Sequence, residues 1–182
     1  MRDIVYELLA EGFEEVEALA PIDLLRRAGV EVVTVAVGGE KTVVGARGVP
    51  VVADILPHEL DESRMQMLIL PGGYPGYENL QKSEWVAALL KRAAAAEIDI
   101  AAICGAPTVP GSLGLLAGRV ATCYPGMESL LGCTASEEAV VEHGPFITSR
   151  GAGTSLDFAL ALVARLVSKE KAEELRKGIV MQ

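Results

Sequence analysis

Histidine and cysteine are scarce in this chain, with two His and three Cys among 182 residues. No pair of them has a zinc-type spacing such as C-x-x-C, so no metal centre is expected. Three cysteines cannot all pair within one chain, which points to free thiols in reducing surroundings. Basic residues also fall short: 16 Lys+Arg against 25 Asp+Glu leave a formal net charge of −9. That balance argues against a nucleic acid partner, because a phosphate backbone is gripped by clustered Lys and Arg. No apolar run approaches the ~20 residues of a membrane span. The opening residues lead into Tyr6-Glu7 rather than a signal-peptide apolar region. A cytoplasmic protein without a membrane partner is the expectation. Aromatic residues make up only 4 %, so the core must be built mainly from Ala, Val, Leu and Ile. The hydrophobic fraction of 51 % is ample for one domain over 1–182.

Short apolar runs alternate with longer helical patterns, the mark of an α/β protein with a parallel sheet. The clearest predicted strands are Val30–Val37, Met67–Leu70, Ile98–Ile103 and Phe146–Ser149. Helices are predicted over Glu15–Ala28, Ser83–Ala96, Ser155–Val167 and Lys169–Lys177. Ser83 reads as an N-cap and Gly29 as the glycine that ends a helix. Val43–Val52, with Gly45, Gly48 and Pro50, reads as a small hairpin. Ile4–Leu9 carries helix formers, but the α/β order wants a strand there. Glu7 then sits uncomfortably in a central parallel strand.

The most informative segment is Ile98-Asp-Ile-Ala-Ala-Ile-Cys-Gly-Ala-Pro107. A buried strand runs into Cys104, small residues allow a sharp turn, and Pro107 suits a helix start. This is the sequence of a nucleophile elbow with Cys in place of Ser. A helix N-terminus and free amides there would favour a thiolate; alternatively Cys104 is simply a small buried residue. Leu68-Ile-Leu-Pro-Gly-Gly-Tyr-Pro-Gly76 is a second strand entering a glycine turn. Its amides, with that of Gly105, would form an oxyanion hole; a plain turn is the simpler reading. In the third segment, Ala10 to Glu17, four carboxylates crowd a helix start. The helix dipole accounts for Glu11, Glu14 and Glu15. Glu17, beside Ala18 and Leu19, is the one that faces inwards.

Together these segments resemble the ThiJ/PfpI superfamily, in the branch of bacterial ThiJ/YajL proteins and the human Parkinson disease protein seven. The resemblance rests on Glu11-Gly-Phe-Glu-Glu-Val-Glu17, Arg26-Arg-Ala-Gly29, Leu70-Pro-Gly-Gly73, Ala101-Ala-Ile-Cys-Gly-Ala-Pro107, Ala121-Thr-Cys-Tyr-Pro125 and Thr148-Ser-Arg-Gly-Ala-Gly-Thr-Ser155. It implies a flavodoxin-like sandwich, mostly parallel with helices on both faces, and a homodimer. It carries the nucleophile onto Cys104, the family's acid onto Glu17 and the oxyanion amides onto Gly73 and Gly105. Tyr124 and the arginines Arg27, Arg47 and Arg150 are carried over as substrate-binding residues. Tyr124 departs from the human protein, which has a His there, and Tyr with a pKa near ~10 is a poor base. Cys123 and Cys133 are left as packing residues.

The residues around the cysteine narrow the chemistry. Gly105 follows Cys104 where the protease-like branch has His. His143 reads as an exposed turn residue and His58 as a surface helix start. A Cys–His dyad is therefore not expected, nor peptidase or glutaminase activity. An ionised Glu17 would raise the thiol's pKa, whereas a neutral Glu17 would donate to sulfur and support a low-pKa thiolate. The implied activity is cofactor-free conversion of small 2-oxoaldehydes or deglycation of their adducts. The alternative is a redox sensor or stress-linked chaperone in which Cys104 becomes a sulfinate.

Overall fold

The computed structural model describes residues 2–181; Met1 and Gln182 of the expected domain lie outside the described residues. Its centre is a six-stranded sheet. The chain runs β1 (Ile4–Leu9), α1 (Glu15–Arg27), β2 (Glu31–Ala36), then the hairpin β3 (Thr42–Val44) and β4 (Pro50–Val52). It continues with β5 (Met65–Leu70), α2 (Gly76–Lys82), α3 (Glu84–Ala95), β6 (Asp99–Ile103) and α4 (Thr108–Ser112). The last part holds β7 (Val120–Ala121), β8 (Thr134–Ala135), β9 (Val140–His143), β10 (Phe146–Ser149), α5 (Ser155–Leu166) and α6 (Lys169–Gly178). Strand order is β2-β1-β5-β6-β10-β9. All neighbours pair parallel except the edge strand β9, which returns antiparallel to β10.

Strand alternation divides the sequence between two cores. Leu68, Leu70, Ile100 and Ala102 face one side, where Leu89 and Leu90 of α3 pack. Met67, Ile69, Ala101 and Ile103 face the other, against Leu24 and Leu25 of α1 and Phe158 and Leu162 of α5. With both faces covered, these strands read as continuous apolar runs rather than alternating ones. The fold is thus the expected α/β flavodoxin-like arrangement.

The predicted elements hold, with ends that shift by a residue or two. Ser83 caps α3, accepting from the Val86 amide at 3.3 Å. Gly29, at φ +83°, closes α1 in the left-handed region that favours glycine. Several short elements escape sequence periodicity: α2, α4 and the two-residue strands β7 and β8. His143 ends β9 rather than forming the turn itself, and its Nδ1 accepts from the Val120 amide at 3.1 Å. His58 begins a surface 3-10 turn as expected.

Ile4–Leu9 is a strand, so Glu7 lies at the centre of the sheet, opposite Thr34 on β2 and Ile69 on β5. It is 0 % exposed, and neither carboxyl oxygen has a hydrogen-bond partner. Burial pushes its pKa well above the usual carboxylate range, opposed by the nearby Arg26 charge. Glu7 is therefore carried as the neutral acid.

Candidate active site

β1, β5, β6 and β10 all deliver their carboxyl ends to one edge of the sheet, where ligands bind in open α/β folds. Cys104 leaves β6 there with φ +65°, a left-handed conformation that costs a non-glycine residue roughly 1–3 kcal/mol. Its backbone is tied on both sides: its amide donates to the Ser149 carbonyl at 3.0 Å, and its carbonyl accepts from the Tyr124 amide at 2.8 Å. The Ala106 amide donates to Ile103 O at 3.0 Å and closes the turn. The strained residue is thus over-determined, as a nucleophile elbow requires.

Glu17, 1 % exposed, enters the site from the first turn of α1. Its Oε2 accepts from the Gly72 amide at 3.0 Å, and its carboxyl shares a hydrogen bond with the Cys104 thiol. Gly72 cannot carry a side chain: a Cβ there would lie 2.6 Å from both Cys104 Cβ and Glu17 Oε2. Gly72→Ala is expected to force the thiol and the carboxyl apart. The check is the iodoacetamide alkylation rate of Cys104, which should change, together with a lower melting temperature, because the Ile103 carbonyl would lie 2.9 Å from that Cβ.

The amides of Gly73 and Gly105 donate to the sulfur and lower its pKa. Gly73 itself sits at φ +93°. The Gly72 amide, also a candidate from the glycine turn, is instead spent on Glu17. The expected helix N-terminus contributes little, because α4 has only five residues and begins at Thr108. Burial raises the Glu17 pKa to about 7. Burial, and then the charge of an ionised Glu17, push the thiol to about 12. Both shifts run against the expected low-pKa thiolate: Glu17 ionises near 7 while the thiol keeps its proton to about 12, so a thiolate at neutral pH requires the proton to sit on Glu17 instead. The two groups titrate as a pair, losing a first proton near 7 and a second near 12.

Above the thiol opens a cavity of about 510 Å³. Of the residues predicted from the sequence, Cys104, Glu17, Gly73, Gly105, Arg47 and Tyr124 all border it. Arg27 and Arg150 do not. Arg27 pairs with Asp23 at 2.9 Å on α1, and Arg150 donates to the Glu137 carbonyl at 2.9 Å. Tyr74, Tyr77 and Met127 also border the cavity and were missed, since a tyrosine in a turn carries no periodic signal. Tyr124 lies beyond the end of β7 rather than in a strand. It still reaches the cavity while Cys123 turns into the core, as alternation predicts. Cys133 packs against that core. All three cysteines are free, and no group of His, Cys, Asp or Glu among the described residues is arranged to hold a metal ion.

The carboxylates at the start of α1 do more than answer a helix dipole. Glu11 accepts from the Val44 amide at 3.0 Å. Glu14 lies 3.8 Å from the Arg47 guanidinium at the cavity. Glu15 is buried, and its Oε1 accepts from the amides of Arg47 at 2.7 Å and Val49 at 3.4 Å. Glu15 and Glu11 therefore hold the hairpin that brings Arg47 to the cavity. Glu15→Ala is expected to raise the hydrogen-exchange rates of the Arg47 and Val49 amides. Glu15→Gln, which keeps an acceptor, should restore their protection.

Residues 4–165 match the DJ-1/PfpI family. The chain belongs to the DJ-1/PfpI family. It is 36 % identical to the protein dj-1beta of Drosophila melanogaster over 96 % of this chain and 95 % of that one. It is 40 % identical to the DJ-1 homolog B of Arabidopsis thaliana over 95 % of this chain, but spans only 40 % of that longer protein. A relative from Caenorhabditis elegans, 32 % identical over 94 % of this chain and 92 % of its own, is named a glutathione-independent glyoxalase. Among solved structures, a DJ-1 superfamily protein from Salmonella typhimurium superposes with a TM-score of 0.95 at 35 % identity, covering 99 % of each chain.

Proposed function

We propose that this DJ-1/PfpI protein converts 2-oxoaldehydes, or their early adducts on other molecules, to 2-hydroxy acids without glutathione or another cofactor. The single observation that carries this reading is the strained Cys104 beside the buried Glu17, with the Gly73 and Gly105 amides on the sulfur. The reading assigns the one proton left on the pair above about pH 7 to Glu17, the reverse of the order in which the groups release protons singly, Glu17 near 7 and the thiol near 12. Sulfur has two backbone donors, whereas the Glu17 carboxyl has the Gly72 amide, so negative charge is better held on sulfur.

The thiolate adds to the aldehyde carbon and forms the S–C bond of a hemithioacetal. The Gly73 and Gly105 amides move from sulfur towards the new oxyanion. Glu17 delivers its proton to the substrate oxygen and, as carboxylate, removes the hydrogen on the former aldehyde carbon as a proton. It returns that proton to the neighbouring carbon through an enediol. The product is a thioester of the 2-hydroxy acid. Water cleaves its S–C bond and restores the thiol. Methylglyoxal and one water give lactic acid, with one carbon oxidised and its neighbour reduced, so no external oxidant is needed.

Activity should rise with pH through about 7, as the pair loses its first proton. Glu17→Gln should lower kcat by about 10²-fold or more and remove that limb. A pH profile that is unchanged in Glu17→Gln contradicts the assignment.

The alternative, a redox sensor or stress-linked chaperone, uses the same half-buried thiolate and amides: two peroxides would take sulfur to the sulfinate and leave two waters. Mass spectrometry after mild peroxide separates the readings. Selective gain of two oxygens at Cys104, without aldehyde turnover, favours the sensor.

No helix among the described residues is long and apolar enough to cross a membrane. The three free thiols favour a reducing compartment such as the cytoplasm. Val16 and Leu19 of α1 and Leu156 of α5 are exposed although these helices pack together. They supply an apolar surface for the expected homodimer, which sedimentation tests: Leu19→Glu should yield monomer.

A further inference from the structure

Aromatic side chains are scarce in this chain, and they are not spread evenly. Three of its four tyrosines, Tyr74, Tyr77 and Tyr124, border the Cys104 cavity. The fourth, Tyr6, is in the core, its hydroxyl donating to the Asp61 carbonyl at 3.2 Å. Tyr77 lies on the elbow itself, since a Cβ at Gly105 would fall 2.7 Å from its ring. Tyr74 stands beside it, the ring centroids 6.4 Å apart and tilted by 51°, a favourable aromatic separation. Tyr124 comes from the segment after β7, near Gly151, and Met127 follows it at the cavity. Tyr74 is 70 % exposed and Tyr124 52 %. Large rings are thus left uncovered at the mouth of a site whose nucleophile lies at the elbow.

The cavity is also generous. About 510 Å³ is the size of site that takes a drug-sized ligand, and the methyl group of methylglyoxal fills little of it. Charge argues against an anionic tail on the substrate: the one guanidinium lining the cavity, on Arg47, already faces the Glu14 carboxylate, and the Cys104–Glu17 pair carries one negative charge of its own in the reactive state. A flat apolar substituent suits these walls better than a carboxylate or a phosphate.

We propose that the substrate class of this site is the arylglyoxals, 2-oxoaldehydes whose second substituent is a planar ring held among Tyr74, Tyr77 and Tyr124. The inference rests on the oxoaldehyde reading for its chemistry, but the ring site itself does not depend on turnover. The balance of the reaction is unchanged: phenylglyoxal and one water give mandelic acid.

Two measurements test it together. The first compares kcat/KM for phenylglyoxal and methylglyoxal. Wild type should favour phenylglyoxal by about tenfold or more, the gain from ring–ring contacts. Tyr77→Leu and Tyr124→Leu, which keep apolar bulk, should bring the ratio close to one by lowering the phenylglyoxal value more than the methylglyoxal value. The second needs no turnover. Cys104 is alkylated with phenacyl bromide or bromoacetone, each rate divided by that of a free thiol in the same buffer, and the product is read by mass. The normalised aryl-to-methyl ratio should be about tenfold in wild type and fall in both Leu variants. Aryl preference in alkylation without turnover of either aldehyde upholds the ring site and overturns the oxoaldehyde reading. A normalised ratio near one in wild type, or one untouched by both Leu variants, overturns the inference.

Discussion

Cys104→Ala is expected to abolish lactate formation from methylglyoxal, by about 10³-fold or more. The expectation follows from the elbow. The S–C bond has no other thiol to form on, because Cys123 is buried in the core and Cys133 packs against it. Neither His58 nor His143 is near enough in the fold to border the cavity and act as a substitute nucleophile. The melting temperature should stay within a few degrees of wild type, since the backbone hydrogen bonds to the Ser149 carbonyl and from the Tyr124 amide hold the turn whatever the side chain. Lactate release by enantioselective assay gives the answer. Residual activity near the wild-type level would remove Cys104 from the chemistry.

The second large effect concerns stability. Glu7→Val is expected to stabilise the fold by about 1–3 kcal/mol, the cost of a buried carboxyl without hydrogen-bond partners. For a chain of this size that is a rise in Tm of about 2–4 °C per kcal/mol. The strand itself favours the change, because Val suits a parallel strand covered on both faces. The sign with pH follows from the raised pKa. Folded Glu7 holds its proton when the unfolded carboxyl has lost it. The stability is full below the unfolded value of ~4.3 and falls as pH rises from there towards the folded value. Denaturation of both proteins across pH 4 to 8 (an interval set by ~4.3 at its lower end) should show the gain in Glu7→Val growing with pH. A gain independent of pH would mean that Glu7 is charged in the folded protein.

Much of this was legible in the residues. The strand entering Cys104, the small residues after it and the Leu70-Pro-Gly-Gly73 turn determine local geometry by themselves, so the elbow and its amides could be read directly. Glu17 was legible from the motif that carries it, although of its two neighbours only Ala18 is buried and Leu19 faces out. Glu15 was not: its role depends on a hairpin more than thirty residues away, and a carboxylate at a helix start looks the same whether it answers a dipole or holds a distant amide. Arg27 and Arg150 failed for a related reason. A guanidinium at the right place in a motif still chooses its partner by reach, and here Asp23 and the Glu137 carbonyl are closer to hand. Tyr74 and Tyr77 escaped because turn residues have no periodicity to betray the side they face. The charge state of the thiol also lay beyond the sequence, since it depends on how deeply Glu17 is buried and on which amide meets which atom.

The central proposal is that Cys104 and Glu17 hold one proton between them above about pH 7, with the charge on sulfur although Glu17, at about 7, titrates below the thiol, at about 12. Ultraviolet titration of the thiolate, taken as the difference between wild type and Cys104→Ala, tests it directly. The account predicts thiolate absorbance that appears with an apparent pKa near 7 and is displaced in Glu17→Gln. Absorbance that appears only towards pH 12, or at the free-thiol value of ~8.5 regardless of Glu17, would contradict it.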